Sequence, residues 1–215
     1  MTPTPPPSID LPAELKRQRV LAIVRGHDAD GCFHAAMTLL DEGLNLLEVS
    51  LTGRDALSVI ARLRNAAPDA LVGAGTVLTD EQVRHVHHSG ARFVVTPGLA
   101  PSVASAGAIG LPVLCGALSP SEVLEATRRG AAAVKVFPAS ALGPQYIGAL
   151  GAPFPHICLV AVGGVGVDDI DAYLEAGAVA VGLGSPLLGD AADGGDLSEL
   201  RRRTRAALAA AGANR

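Results

Sequence analysis

Lysine is almost absent from this chain: two of its 17 basic residues are lysines, and the others are arginines. One of the two, Lys135, lies inside the apolar run 132–137, where a cation is costly to bury. An amine can lose its proton and attack a carbonyl, whereas a guanidinium cannot. We therefore consider Lys135 a candidate Schiff-base nucleophile. The structural alternative, a lysine that snorkels from a strand end or pairs with a buried carboxylate, is equally consistent with this residue alone.

Cysteine and charged residues are also scarce, and these shortages exclude several classes of protein. The three cysteines are odd in number and far apart, which is typical of a reducing compartment and not of a disulfide framework or a metal knuckle. With 18% charged residues and a net charge of -4, the chain is not expected to be a general binder of nucleic acid or anionic membranes. The arginines at 201, 202, 203 and 205 are interpreted as one solvated helix face.

Apolar runs of membrane-spanning length are missing as well, and the N-terminus has no apolar signal core. The protein is therefore expected to be soluble and cytoplasmic. Residues 1–11 are rich in proline and are expected to form a disordered tail. The remaining chain, 12–215, is expected to fold as a single domain, because 49% of the sequence is apolar and can form a large core.

Short apolar runs alternate with segments of helical character along the predicted domain. This pattern predicts an α/β fold of the (β/α)8 TIM-barrel type in preference to an open doubly wound sheet. A short N-terminal helix near residues 12–19 is expected to close the bottom of the barrel. The predicted strands are 20–25, 46–51, 71–74, 92–96, 112–115, 132–137, 157–162 and 178–183.

The alternation of side chains along the second and sixth predicted strands directs two charged residues into the barrel, Glu48 and Lys135. Because interior layers of such barrels come from alternate strands, Glu48, Thr96 and Lys135 could share one layer. Burial raises the pKa of a glutamate and lowers that of a lysine, which favours proton transfer and nucleophilic attack near neutral pH. A buried ion pair is the structural alternative, although such pairs are weak evidence for stability.

Two glycine-rich turns follow the seventh and eighth predicted strands. In barrels of this type the corresponding loops commonly bind phosphate through backbone N–H groups, and glycine permits the close approach. The predicted phosphate-binding residues are Gly163, Gly164, Gly184 and Ser185. Glycine that serves only the geometry of a tight turn is the alternative for either loop taken alone.

Seven ordered motifs within residues 15–190 resemble the aldolases of 2-keto-3-deoxy-6-phosphogluconate and 2-keto-3-deoxy-6-phosphogalactonate, a family of class I lyases on a (β/α)8 barrel. The motifs are LAIVRG (21–26), LLEVSL (46–51), VGAGTVL (72–78), FVVTPG (93–98), VKVFPAS (134–140), AVGGV (161–165) and GLGS (182–185).

The resemblance implies a reaction and roles for the residues. Lys135 would form an imine on the C2 ketone of the substrate, and Glu48 would act as acid and base through water. Cleavage would release pyruvate and glyceraldehyde 3-phosphate. Thr76, Thr96 and Pro97 match positions that line the substrate, although either threonine could bond its own backbone instead. The resemblance implies no metal and no cofactor, and it implies a homotrimer.

Within this family the chain is more similar to the phosphogalactonate branch. The phosphogluconate branch typically has an arginine shortly after the strand-2 glutamate, where this chain has Thr52. Arg25, at the end of the first predicted strand, resembles an arginine of the galactonate branch and could hold the substrate carboxylate instead. Val162 stands where the other branch tends to have threonine, so it is a candidate determinant of the C4 configuration.

Several hypotheses stay open at this point. The leading one is cleavage of 2-dehydro-3-deoxy-6-phosphogalactonate, with the phosphogluconate isomer or 4-hydroxy-2-oxoglutarate as alternative substrates. A barrel isomerase or synthase without an imine, and a noncatalytic binder of phosphometabolites, are the alternatives of a different class. Three histidines at 85, 87 and 88 and the aspartates of 190–196 have no metal-ligand spacing, so no ion is assigned to them.

Overall fold

A computed structural model describes residues 9–212. Within these residues the strands form a closed parallel barrel in the order β1 to β8, which confirms the predicted fold. Residues 1–8 of the predicted disordered tail lie outside the described residues. The strands are β1 (Val20–Val24), β2 (Leu46–Ser50), β3 (Leu71–Gly75), β4 (Val94–Val95), β5 (Val113–Ala117), β6 (Ala133–Val136), β7 (Leu159–Val162) and β8 (Ala180–Leu183).

Helices connect the strands and form the outer layer of the barrel. Several begin at a side chain that accepts a backbone N–H, as Asp28 does for α2. Thr79 and Ser119 each form a capping box with the residue three positions later. The helices described within 9–212 are α1 (Leu11–Gln18), α2 (Ala29–Asp41), α3 (Ala56–Ala66), α4 (Asp80–His88), α5 (Ser102–Ala108), α6 (Pro120–Arg128), α7 (Pro144–Gly151), α8 (Ile170–Glu175), α9 (Ser185–Leu188) and α10 (Leu197–Ala210). None of these is long and apolar enough to cross a membrane.

The buried apolar side chains form two separate layers, because successive residues of a strand point to opposite faces. One layer lies between the strands and the helices and includes Leu47, Val49, Val134 and Val136. The other fills the barrel and includes Leu46 on β2, Ala133 on β6 and the inward residues of β7. Glu48 has the same parity as Leu46, and Lys135 has that of Ala133. The predicted inward direction of both charged side chains is therefore confirmed.

Helix α1 covers the bottom of the barrel, as predicted. It begins at Leu11, one residue earlier than expected, and Leu11 and Leu15 are fully buried among the inward residues of the strands. The side chain of Asp10 accepts the N–H of Ala13 and so caps the start of the helix. This end of the barrel is thus closed by apolar packing, and the open end is the one at which the strands terminate.

The C-terminal arginines are exposed or half-buried, as expected of a solvated face, but three of them also bind groups on other helices. Arg201 and Arg205 bind the carboxylate of Glu42 at the end of α2, at 2.9 Å and 2.5 Å. Arg203 donates to the carbonyls of Leu187 and Leu188 at the end of α9. These partners lie on other helices and cannot be read from the spacing within α10, although guanidinium is well suited to such contacts.

Candidate active site

Glu48 and Lys135 lie opposite each other inside the barrel, near the end at which the strands terminate. They sit on β2 and β6, which are four strands apart in the closed ring of eight. Glu48 is 2% exposed and Lys135 is 7% exposed. Glu48 pairs in register with Ile23 on β1, and Lys135 pairs with Gly116 on β5. A carboxylate and an amine thus face one buried space.

No hydrogen bond or ion pair joins Glu48 to Lys135 in the described part of the chain, and the Oε2 atom of Glu48 has no hydrogen-bond partner there. Such a buried and unpartnered oxygen is costly for stability. The structural alternative, a buried ion pair, is therefore not what the barrel contains.

Burial raises the pKa of Glu48 above its ordinary value, and the nearby charges of Lys135 and Arg25 oppose this rise. The direction is the predicted one, with desolvation as the dominant cause. A carboxyl group with a raised pKa holds its proton closer to neutral pH, as a group that both accepts and returns a proton requires. Thus the environment of Glu48 is suited to acid and base chemistry.

Two inward glycines make room for this arrangement. A Cβ atom at Gly75 would lie 1.8 Å from the Oε1 atom of Glu48, so the carboxylate occupies the space of the absent side chain. A Cβ atom at Gly116 would lie 2.2 Å from the carbonyl carbon of Pro97. Because Gly116 pairs with Lys135, this close approach brings the half-buried Pro97 beside the lysine strand.

Arg25 and Thr76 lie at the ends of β1 and β3, on the same side of the barrel as Glu48. Arg25 is exposed, and its charge acts on Glu48. Thr76 has a φ of 58°, which is rare for a β-branched residue and is found mainly at functional sites. Its hydroxyl lies 3.2 Å from that of Ser50, which in turn lies 2.9 Å from that of Thr52.

Thr96 does not join the layer of Glu48 and Lys135 by strand parity, which corrects the expectation of one shared layer. The inward residues of this strand segment are Phe93 and Val95. The Oγ1 atom of Thr96 accepts the N–H of Gly116 at 3.3 Å, in the place where a strand carbonyl would normally accept it. One position after the inward Val95, Thr96 therefore has the outward parity of Val94.

The predicted phosphate residues follow β7 and β8 at the open end of the barrel. Gly163 and Gly164 both have positive φ, 94° and 73°, which favours glycine there. Gly184 is half-buried, and the exposed Ser185 is the first residue of α9. Just before the first turn, Val162 points into the barrel and is 2% exposed. The four residues are thus on adjacent strand ends, and their role remains a prediction.

Phe137 belongs to this site but was not among the predicted site residues. The Nζ atom of Lys135 lies 5.0 Å from the centre of its ring, a distance suited to a cation–π contact. The ring is 38% exposed, which is unusual for a phenylalanine. Its position two residues after Lys135, on the same face, is the signal that would have identified it.

The three histidines lie outside the site and are exposed on α4. His85 lines a cleft of about 480 Å³ between α3 and α4, together with Asp55 and Gln82. Within residues 9–212 no group of three or more histidine, cysteine or acidic side chains could hold a metal ion. The cysteines at 32, 115 and 158 are buried free thiols.

Comparisons with known proteins identify the family of the chain. The family model of KDPG and KHG aldolases matches residues 11–202. The 2-dehydro-3-deoxy-6-phosphogalactonate aldolase of Escherichia coli (strain K12) is 37% identical over 171 residues, which are 78% of this chain and 83% of that protein. The 2-dehydro-3-deoxy-phosphogluconate aldolase of Haemophilus influenzae is 36% identical over 163 residues, 75% of this chain and 77% of that protein. A solved structure of native KDPGal superposes with a TM-score of 0.84 at 34% identity, covering 89% of this chain and 93% of that one.

Proposed function

The chain belongs to the family of KDPG and KHG aldolases and is a class I aldolase, a carbon–carbon lyase, and we propose that Lys135 is its imine-forming residue. We propose further that it cleaves 2-dehydro-3-deoxy-6-phosphogalactonate to pyruvate and glyceraldehyde 3-phosphate. The observation that carries the proposal is a single buried lysine that faces an unpaired carboxylate across the open end of the barrel.

The scarcity of lysine leaves few candidates for the imine-forming residue. A class I aldolase needs an amine that attacks a ketone, and the sequence offers two, Lys16 and Lys135. Lys16 is exposed on α1, at the end of the barrel that this helix closes. Lys135 is buried at the opposite end, beside Phe137 and across from Glu48. Of the two amines, only Lys135 is buried and acts on a carboxylate inside the barrel.

The proposed reaction begins when the neutral amine of Lys135 attacks the C2 ketone of the substrate, and loss of water then gives a protonated imine. This imine withdraws electrons, so removal of the C4 hydroxyl proton allows the C3–C4 bond to break and glyceraldehyde 3-phosphate to leave. The enamine that remains takes a proton at C3, and hydrolysis releases pyruvate and restores the amine. Glu48 exchanges these protons, acting through water, and its raised pKa is suited to both directions of transfer.

The two charged ends of the substrate have candidate partners on the same face. Arg25 would pair with the carboxylate, since this chain has Thr52 in place of the arginine of the phosphogluconate branch. The backbone N–H groups of the turns at 163–164 and 184–185 would bind the phosphate. Thr76 would contact the substrate near its carboxylate, and Pro97 and Val162 would line the carbon chain toward the phosphate. Thr96 would lie behind this lining, because its hydroxyl binds the N–H of Gly116 on β5.

The identities of 37% and 36% to the galactonate and gluconate enzymes do not separate the two substrates. Arg25, Thr52 and Val162 favour the galactonate substrate. The second candidate activity is cleavage of the phosphogluconate epimer or of 4-hydroxy-2-oxoglutarate. A pocket discriminates weakly against one repositioned hydroxyl, so some activity on both epimers is expected.

Borohydride reduction in the presence of pyruvate tests the imine. The expected result is a stable mass increase on the peptide that contains Lys135, with loss of activity. The Lys16→Arg variant should be trapped as well as the parent, and the Lys135→Arg variant should not be trapped. An unchanged mass in the parent would support an isomerase, a synthase or a noncatalytic binder instead of an imine-forming aldolase.

The homotrimer implied by the resemblance and the cytoplasmic location expected from the composition of the sequence are also proposals for this chain. The buried free thiols are consistent with a reducing compartment. Sedimentation velocity would measure the oligomeric state, and a monomer at all concentrations would contradict the trimer.

A further inference from the structure

Three hydroxyl groups form a chain at the ends of β2 and β3, in the layer directly above Glu48. The Oγ atom of Ser50 lies 2.9 Å from Oγ1 of Thr52 and 3.2 Å from Oγ1 of Thr76. Ser50 is 3% exposed, Thr76 is half-buried and Thr52 is exposed. The buried serine therefore connects two hydroxyls that lie closer to the open end.

We propose that Ser50 is a positioning residue: its hydroxyl orients the hydroxyl of Thr76 toward the carboxylate of a bound 2-keto acid. The inference rests on the proposed function, which supplies the keto acid. It assigns a role to a residue that touches neither the imine carbon nor the phosphate.

The number of hydrogen bonds that each of the three hydroxyls can donate and accept supports this role. A serine hydroxyl has one proton and accepts two hydrogen bonds. Ser50 can accept from the hydroxyl and from the backbone N–H of Thr52, the latter at 3.4 Å, and then its own proton is free to bind Thr76. Thr76 in turn has its proton free for a ligand. When the hydroxyls donate in this order, Thr76 can donate to the ligand. A carboxylate only accepts hydrogen bonds, so it requires such a donor.

Donation from Ser50 also strengthens Thr76 as a donor, because hydrogen bonds in a chain polarise one another. The buried position of Ser50 enlarges this effect, since little water competes for its proton. Without the serine hydroxyl, Thr76 could turn its proton back to other acceptors and present its lone pairs to the carboxylate.

The backbone of Thr76 shows why its side chain needs such support. Its φ of 58° costs a β-branched residue energy, and this conformation persists only where neighbouring contacts hold it. Gly75, the residue before it, pairs with Ser50 in the β2–β3 register. The carboxylate of Glu48 occupies the space that a side chain at Gly75 would fill. The strained threonine, the serine and the catalytic carboxylate are thus parts of one packed unit.

The test measures how the rate of borohydride inactivation depends on pyruvate concentration. Ser50→Ala is expected to raise the half-saturating pyruvate concentration about fivefold, the value of one hydrogen bond, while the rate at saturation stays near that of the parent. Thr76→Val, which replaces the hydroxyl by a methyl group of similar shape, is expected to raise it by at least as much.

A double variant separates positioning from a general loss of stability. If Ser50 acts through Thr76, the Ser50→Ala/Thr76→Val protein should need no more pyruvate than Thr76→Val alone. Effects that multiply would contradict the inference, as would an unchanged half-saturation in either single variant. Thr204→Val is the matched control, because Thr204 is fully buried in α10 and its hydroxyl binds the carbonyl of Leu200 within the same helix and not the hydroxyls of Ser50 or Thr76.

The same experiment distinguishes the two levels of proposal. If pyruvate and borohydride do not trap the parent protein, the proposed function fails. If the parent is trapped but Ser50→Ala saturates at the same pyruvate concentration, only the role of Ser50 fails.

Discussion

The two ends of the barrel interior differ in chemistry, although the same strands build both. At the bottom the inward side chains are apolar, tightly packed and covered by α1; they include Leu11, Leu15, Leu21, Leu46, Leu71 and Phe93. At the open end the same strands present Glu48, Ser50 and Lys135, each more than nine-tenths buried. The bottom stabilises the fold, whereas the open end keeps buried polar groups that cost stability and are suited to chemistry.

Strand β2 contains this contrast within a few residues. Leu46 and Glu48 point to the same interior and are two positions apart, yet one packs among leucines and the other holds an unpartnered carboxylate oxygen. Variants along one strand can therefore test whether stability and activity are divided between the two ends.

Lys135→Arg is expected to have the largest effect. Arginine keeps the positive charge but cannot form the imine, so turnover should fall by about a thousandfold or more. Lys16→Arg, at the closed end, should leave turnover unchanged. Steady-state assays of both variants, with circular dichroism to show that each is folded, make the comparison. Substantial cleavage by the Lys135→Arg protein would assign the chemistry to another group.

Glu48→Gln is expected to lower turnover by about a hundredfold or more, because the amide cannot exchange the protons of the reaction. Its effect on stability should have the opposite sign. A glutamine carries no charge to desolvate, so the variant should be at least as stable as the parent near neutral pH. Urea unfolding together with kinetic assays measures both effects, and a large loss of stability would make Glu48 a structural residue.

The pH dependence of stability tests the same residue. The pKa of Glu48 is raised in the folded state from an ordinary value of 4.5. Between these two values the folded protein holds a proton that the unfolded chain has lost, so stability falls as pH rises through that window. The fall ends above the folded pKa, and Glu48→Gln should remove it. Parallel stability profiles for parent and variant would contradict this account.

Leu46→Ala tests the other half of the comparison. Leu46 is fully buried at the bottom of the interior, so truncation should cost about 2–5 kcal/mol of unfolding free energy. Turnover of the folded protein should change by no more than about twofold, because the proposed catalytic groups lie at the other end. Leu124→Ala, at an exposed leucine, is the control and should cost under about 0.5 kcal/mol. A large loss of turnover at constant stability would show that the two ends are coupled.

The sequence predicted the fold and the direction of Glu48 and Lys135 because burial imposes a period of two on every strand. The prediction for Thr96 was wrong because Phe93 and Val95 are the inward residues of this segment, so Thr96 has the opposite parity. The hydrogen-bonded hydroxyls of Thr52, Ser50 and Thr76 depend on the register between β2 and β3. The spacing of residues along the sequence does not reveal that register. The partners of Arg201 and Arg203 were missed because Glu42 and the end of α9 lie on other helices, and the spacing of the arginines along α10 does not reveal how those helices pack.

Val162→Thr is expected to have the smallest effect and gives the finest test, since Val162 is an apolar residue at the polar end. The substitution keeps the shape of the side chain and adds a hydroxyl beside the substrate path. We expect the ratio of kcat/KM for the two C4 epimers to shift toward the gluconate substrate by about tenfold or less. Val134→Thr, which faces the helices, should leave the ratio unchanged. If Val162→Thr also leaves this ratio unchanged, another residue distinguishes the two configurations at C4. Variants of Arg25 and of the hydroxyl residues near Glu48 would then be tested.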